Sequence, residues 1–441
     1  MQLMKLQCNF ENADFRQLYC QLTSTCNFES RLVTHMTSSR QLLTQVAFSM
    51  LFALPFGAQA EIALINCQLF DGVESSIQEN VTVRVKDRLI ESISSSTDEV
   101  PNGYSLIDCA GNYLMPGMID VHTHLDTLEQ ARRALESGVT TIRSASVPAF
   151  EDVGLRALVN AGGIPGPDVV PAGVYVTPNL EDSILADPRL AGLMNGVNSD
   201  EELRLVVQIN ADRGVGVIKT RGTERAGRSD TDPRQQVYNR HQLEVIVDEA
   251  AKHGLPVMVH AHGDEGALAA VQAGARSIDH GTYLSSGTLQ LMKEKGTWFV
   301  PTYITMLEMR EEEYDHVQRL RGSHMVARLE QSIRDAHRLG VRFATGADNY
   351  YDNMSINRIS LEVMYLTRFG LSNFEAIQAA TTSSAELLQL GDRTGRIAEG
   401  YEADFILLPA NPLEDIMALQ DVLLVISNGQ IALKRIPFAK P

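Results

Sequence analysis

The segment Leu114-Met-Pro-Gly-Met-Ile-Asp-Val-His-Thr-His-Leu-Asp126 ends an apolar run with two histidines, His122 and His124, at i and i+2. On an extended strand that spacing puts both imidazoles on one face. Two neutral imidazoles converging from one strand end form half of a metal site. Four more candidates close strand-like runs downstream: Lys219 in GVGVIKT, His260 in LPVMVHAHG, His280 in ARSIDHG and Asp348 in VRFATGAD. His262 repeats the i, i+2 spacing after His260, so both could point inward.

These groups need elements to hold them at one place. Strand candidates are GMIDVHTH, TTIRSAS, DVVPAGVYV, VGVIKT, PVMVHAH, RSIDHG, WFVPTYI and RFATGAD. Between them run helical patterns such as LEQARRALESG and HQLEVIVDEAAKHG, each closed by Gly, which favours a helix C-cap. Alternating units of this kind predict an α/β fold, a (β/α)8 TIM barrel over 114–388. In that fold chemistry sits at the C-terminal strand ends, where all six candidates fall. Residues 177–199 and 221–238 make long connections after strands three and four, in the position of lids or specificity loops.

Short strand patterns flank the barrel. IALINCQLF, VTVRVKDRLIESIS and YSLIDCAGNYL precede it, and GRIAEGYEADFILL and VLLVISNGQIALKR follow. Asn428-Gly429 reads as a hairpin turn. Residues 61–113 and 389–441 would then combine in one small β-sandwich built from both chain ends.

At 441 residues the chain accommodates one large domain and a small one. A net charge of −17 with no basic cluster argues against nucleic acid as a partner. Residues 1–60 read as an extension outside the fold. Within it, 36–60 carries Arg40, an apolar run from Leu42 to Phe56, and Ala58-Gln-Ala60, the three parts of a signal peptide. The run is too short to span a membrane comfortably. The expected protein is exported, periplasmic or secreted, begins at Glu61, and has no stable membrane association after cleavage. Of five cysteines, Cys67 and Cys109 lie beyond this extension. They read as buried small hydrophobes, and the sequence leaves open whether they pair.

Over roughly 61–441 the ligand order resembles the binuclear branch of the amidohydrolase superfamily. The resemblance implies that His122, His124 and Asp348 bind the more buried metal, and His260 and His280 the second. It also implies the β-sandwich that the flanking strands permit. A lysine ammonium cannot ligate, but the family carboxylates a lysine at the end of strand four with CO2. Lys219 in VIKT matches that bridging carbamate. Two divalent ions, expected to be zinc, would lower the pKa of a bridging water and supply hydroxide for attack on an amide carbonyl. Asp348 would take the proton and pass it to the leaving amine.

VHAHGDEGALAAVQAGARSIDHGTYL, IKTRGTERAG and GDRTGRIAEGYEADFILLPANPLEDI are similar to the Xaa-Pro and Xaa-Arg dipeptidases (prolidase-like) and N-acyl-amino-acid hydrolases. The implied small-molecule substrate is a dipeptide or N-acyl amino acid, and a homo-oligomer is allowed. The resemblance gives His262 and Tyr283 to the substrate carboxylate; chemistry adds Arg221, since guanidinium grips carboxylate bidentately. Where many members carry Gly-Gly-His after strand three, this chain has VYVTPNLED. The strand-five register stays open between His260 and His262. With His262 as ligand, His262-Gly-Asp-Glu265 resembles the His-x-x-Glu of superfamily deaminases. The alternative is then a cyclic-amide hydrolase or deaminase, imidazolonepropionase-like.

Overall fold

A short apolar run, Ile62-Ala-Leu-Ile65, rich in strand-forming residues, opens the described chain. The computed structural model describes residues 61–352 and 358–436. The signal-peptide reading of 36–60 lies outside them. Strands β1 (Ile62–Leu69), β2 (Gln78–Lys86) and β3 (Leu89–Ser95) form an antiparallel meander. Asp87 and Arg88, both at positive φ, make its second turn in two residues. Then come β4 (Ser105–Asp108) and β5 (Tyr113–Pro116), both parallel to β1, and from the far end of the chain β13 (Phe405–Leu408), β14 (Leu424–Ser427) and β15 (Gln430–Lys434). The last two pair antiparallel through Asn428 (φ 51°) and Gly429 (φ 72°), the expected hairpin turn.

Both chain ends therefore feed one eight-stranded sheet, ordered β15-β14-β13-β5-β1-β2-β3, with β4 also on β1. Leu64, Leu69, Val83, Leu114, Phe405 and Ile426 share its core. The arrangement differs from the expected pair of packed sheets. The first half of β1 pairs with β4 and its last two residues with β5, so all eight strands belong to one hydrogen-bonded sheet. Cys67 and Cys109 are bonded as a disulfide, Cα atoms 5.1 Å apart, rather than packed as free thiols.

The middle of the chain alternates strands and helices, as its pattern predicts. β6 (Met118–Thr123), β7 (Val139–Ser144) and β8 (Asp168–Val170) form one parallel sheet. β9 (Ile218–Arg221), β10 (Val257–Ala261), β11 (Ser277–His280) and β12 (Trp298–Val300) form another. Four of the intervening helices start on capping boxes: Thr127 with Gln130, Ser199 with Glu202, Asn239 with Gln242 and Asp315 with Gln318. Glycines 274, 296 and 340 end three of them in the left-handed conformation that a Cβ disfavours.

Regular pairing does not run through eight strands into a closed barrel. Pro171 and Pro301, lacking N–H groups, follow the ends of β8 and β12 directly. A helix, Tyr303–Glu308, takes the last two residues of WFVPTYI. RFATGAD forms no strand; it touches its neighbours through a Phe299–Phe343 bridge and a bond from Val121 N to Thr345 O. A single Val176–Thr220 bridge joins the two parallel sheets on the other side. Among the described residues no helix is long and apolar enough to cross a membrane.

Candidate metal centre

Parallel strands share a direction, so their C-terminal ends collect side chains on one side. β6 delivers His122 and, one residue past its end, His124. β9 delivers Lys219, β10 delivers His260 with His262 just beyond, and β11 ends on His280. Asp348 comes from the irregular segment beside β6, where its N–H donates to His122 O at 2.6 Å. All seven side chains line one cavity of about 960 Å³.

Within it the ligand-type atoms fall into two groups. His122, His124 and Asp348 form one, and His260, His262 and His280 the other, each with its atoms within 4.8 Å of one another. The His122 and His280 rings, 4.9 Å apart, connect them. Each histidine has one ring nitrogen held by a group outside the two clusters, as metal-ligating histidines do. His122 Nδ1 donates to Asp279 (2.7 Å) and His124 Nδ1 to Ser146 O (2.8 Å). His262 Nδ1 bonds Thr282 Oγ1 (2.9 Å) and His280 Nδ1 bonds Thr302 Oγ1 (2.7 Å). His260 uses Nε2 instead, donating to Glu224 O at 3.1 Å.

Backbone strain gathers here. His280, Asp348, Ser146 and Thr302 all have positive φ without being glycine. Such strain persists where the surroundings over-determine it, commonly at functional sites.

Burial sets the charge states. Desolvation drops the His262 pKa to about 3 and those of His260 and His280 well below the usual value, so all three are neutral bases near pH 7. Burial opposes ionisation of Asp348. The charge of His122 and the hydrogen bonds of His122 and His124 outweigh it, and its pKa falls well below the carboxylate range. Desolvation lowers Lys219 to about 8. Its Nζ is buried without a hydrogen-bond partner, the nearest carboxylate oxygen being Asp279 Oδ2 at 3.9 Å. An orphaned buried amine is costly as it stands. Its carbamate would supply anionic oxygens beside the two groups. Neutral imidazoles, an ionised carboxylate and this amine fit a pair of divalent ions.

Two expected substrate residues lie elsewhere. Arg221 pairs with β10 opposite His260, and its guanidinium is taken by Glu224 at 3.0 Å. The Tyr283 ring lies 6.0 Å from that of His324. Neither is among the cavity-lining residues. Both long loops do reach the cavity, through Thr177, Leu180 and Glu181 from one and Arg225 and Arg228 from the other. Sequence reading missed Asp279, which is fully buried and held by Arg143 (3.2 Å) and Ser277 (2.7 Å). Arg143, a charge inside the buried strand β7, was the legible sign that a buried carboxylate partner existed.

The amidohydrolase family matches residues 113–432 of this chain. Ochratoxinase from Aspergillus niger is 28% identical over 82% of this chain and 84% of its own length. A solved Xaa-Pro dipeptidase with methionine bound in its active site superposes with a TM-score of 0.77 at 25% identity, covering 84% of this chain and 99% of that one. A putative prolidase from Bifidobacterium longum gives a TM-score of 0.74 at 27% identity, covering 85% and 95%.

Proposed function

This chain belongs to the amidohydrolase family, and from that premise we propose a metal-dependent hydrolase that cleaves the amide bond of dipeptides or N-acyl amino acids. One observation carries the reading: two three-ligand groups and a buried, unpartnered lysine line the same cavity. The solved relatives described as a dipeptidase and a prolidase support a dipeptide as substrate. Their likeness also supports closure of the parallel strands into a (β/α)8 barrel.

His122, His124 and Asp348 would hold one divalent ion, His260 and His280 the other, and carboxylated Lys219 would bridge them, with zinc suited to these ligands. Bound there, the ions would acidify water and polarise the substrate carbonyl. Asp279 keeps the His122 ring oriented through Nδ1–H, and Arg143 keeps Asp279 ionised. Asp348, ionised at neutral pH, accepts the proton of the attacking water and returns it to the departing amine. His262 is left to contact substrate.

A second reading rests on His262 standing in the same ligand group as His260. With His262 as ligand, a cyclic-amide hydrolase or deaminase follows; the lysine on β9 weighs against it. We place the protein in an oxidising, extracytoplasmic compartment, supported by the Cys67–Cys109 disulfide. A library of dipeptides and N-acyl amino acids tests the main reading. Release of free amino acid from at least one class is expected. Turnover confined to cyclic amides or amino-purine-type rings would overturn it in favour of the second.

A further inference from the structure

One wall of the cavity carries a cation with no counter-ion. Arg225, in the loop after β9, lines the cavity, and its guanidinium makes no hydrogen bond or ion pair among the described residues. It lies over the Tyr175 ring, Cζ 5.4 Å from the centroid. The neighbouring arginines are committed elsewhere, Arg221 to Glu224 (3.0 Å) and Arg228 to Glu181 (2.9 Å) and Asp230. Lys219 Nζ stands 5.7 Å from the same Tyr175 centroid, so one aromatic ring is shared by the ligand-bearing lysine and the free arginine.

The same wall has unanswered hydroxyls. Tyr175 Oη and Thr177 Oγ1 are buried without hydrogen-bond partners, and both residues line the cavity. They sit two apart in an extended run, which places them on one face. A buried polar group without a partner costs stability. Two such hydroxyls beside the half-buried Arg225 guanidinium, all on one cavity wall, make a site for an anion. In a dipeptide or N-acyl amino acid the α-carboxylate is two bonds from the scissile nitrogen. Its binding group must therefore stand a short way from the metal ligands, as Arg225 does across Tyr175.

We propose that Arg225 binds the substrate α-carboxylate, with Tyr175 stacked on its guanidinium to position it and the hydroxyls of Tyr175 and Thr177 completing that wall. This rests on the amide-hydrolase reading above. It moves the carboxylate grip from strand ends five and six to the segments after β8 and β9, where VYVTPNLED departs from the glycine-histidine pattern.

The test uses metal-loaded full-length protein with N-acetyl-L-methionine and N-acetyl-L-methioninamide, side chains suited to a wall that includes Leu180, Met306 and Met309. Wild type should favour the acid in kcat/KM. Arg225→Ala and Arg225→Gln should cut the acid's kcat/KM roughly 10²-fold, mainly through KM, collapsing the acid-to-amide ratio. Arg225→Lys should restore part of it, and Tyr175→Phe or Thr177→Val should lower the ratio a few-fold. Metal content and unfolding midpoint, read on each variant, separate binding loss from misfolding; the lysine variant serves if the alanine does not fold. Equal losses on acid and amide, or no loss on the acid, would overturn the assignment while amide hydrolysis stands. A wild type that cleaves neither compound, nor any library amide, would overturn both.

Discussion

Asp348 carries the chemistry most exposed to test at the scale of a single residue. Its carboxylate lies 3.2 Å from His124 Nε2 and 3.4 Å from His122 Nε2, and these contacts hold it ionised. Asp348→Asn should reduce kcat by several orders of magnitude, since two proton transfers worth roughly 10²–10⁴-fold each are lost. Retention of more than a tenth of the activity would remove Asp348 from the proton path. His260 and His262 call for a paired comparison of metal content. His260→Ala should lose close to one equivalent, while His262→Ala should keep both and lose kcat/KM. The reverse outcome would shift the ligand register by two residues. The ligand candidates were legible in the sequence because few residue types can bind metal and strand ends restrict where they stand. Their partners were not. Ser146 O and Thr302 reach the imidazoles through positive-φ backbone, which no residue type there announces. Arg221 has the right chemistry, but the β9–β10 register turns it to Glu224, and Arg225 is the arginine that meets the cavity.

At the scale of elements, the seam between the terminal sheet and the parallel sheets contains a buried carboxyl. Asp404, just before β13, accepts bonds from Asn428 N (2.8 Å) and Thr394 Oγ1 (2.9 Å). Burial, then the charge of Asp168 at the start of β8, pushes its pKa up to about 7. A folded pKa above the unfolded value near 3.9 means the fold favours the protonated form. The stability this gives is complete below about pH 4 and is lost as pH rises through 7. Asp404→Asn should therefore be more stable than wild type at pH 8, by on the order of 2 kcal/mol. The gap should narrow at pH 5 in urea unfolding. A gap of the same size at both pH values would contradict the raised pKa. Helices were readable from their apolar pattern and terminal glycines. Strand lengths were less so: DVVPAGVYV and WFVPTYI look continuous by hydropathy, yet Pro171 and Pro301 withhold the N–H groups a ladder needs. RFATGAD shows the same gap between apolar pattern and pairing, since its backbone bonds to several neighbours form no regular ladder.

For the molecule as a whole, the sheet shared by the two chain ends begins at Ile62, one residue after the proposed mature terminus. Mass spectrometry of the native protein should find Glu61 at the N-terminus and no free thiol at Cys67 or Cys109. Soluble cytoplasmic protein retaining 36–60 would contradict export. The disulfide closes a separation of 42 residues, worth roughly 3–4 kcal/mol in the chain-entropy account. The central claim is that one cavity holds two ions bridged through Lys219, and metal content per chain tests it most directly. Protein prepared with bicarbonate and analysed for metals by mass spectrometry should contain close to two equivalents of divalent ion. A stoichiometry near one would contradict the binuclear account.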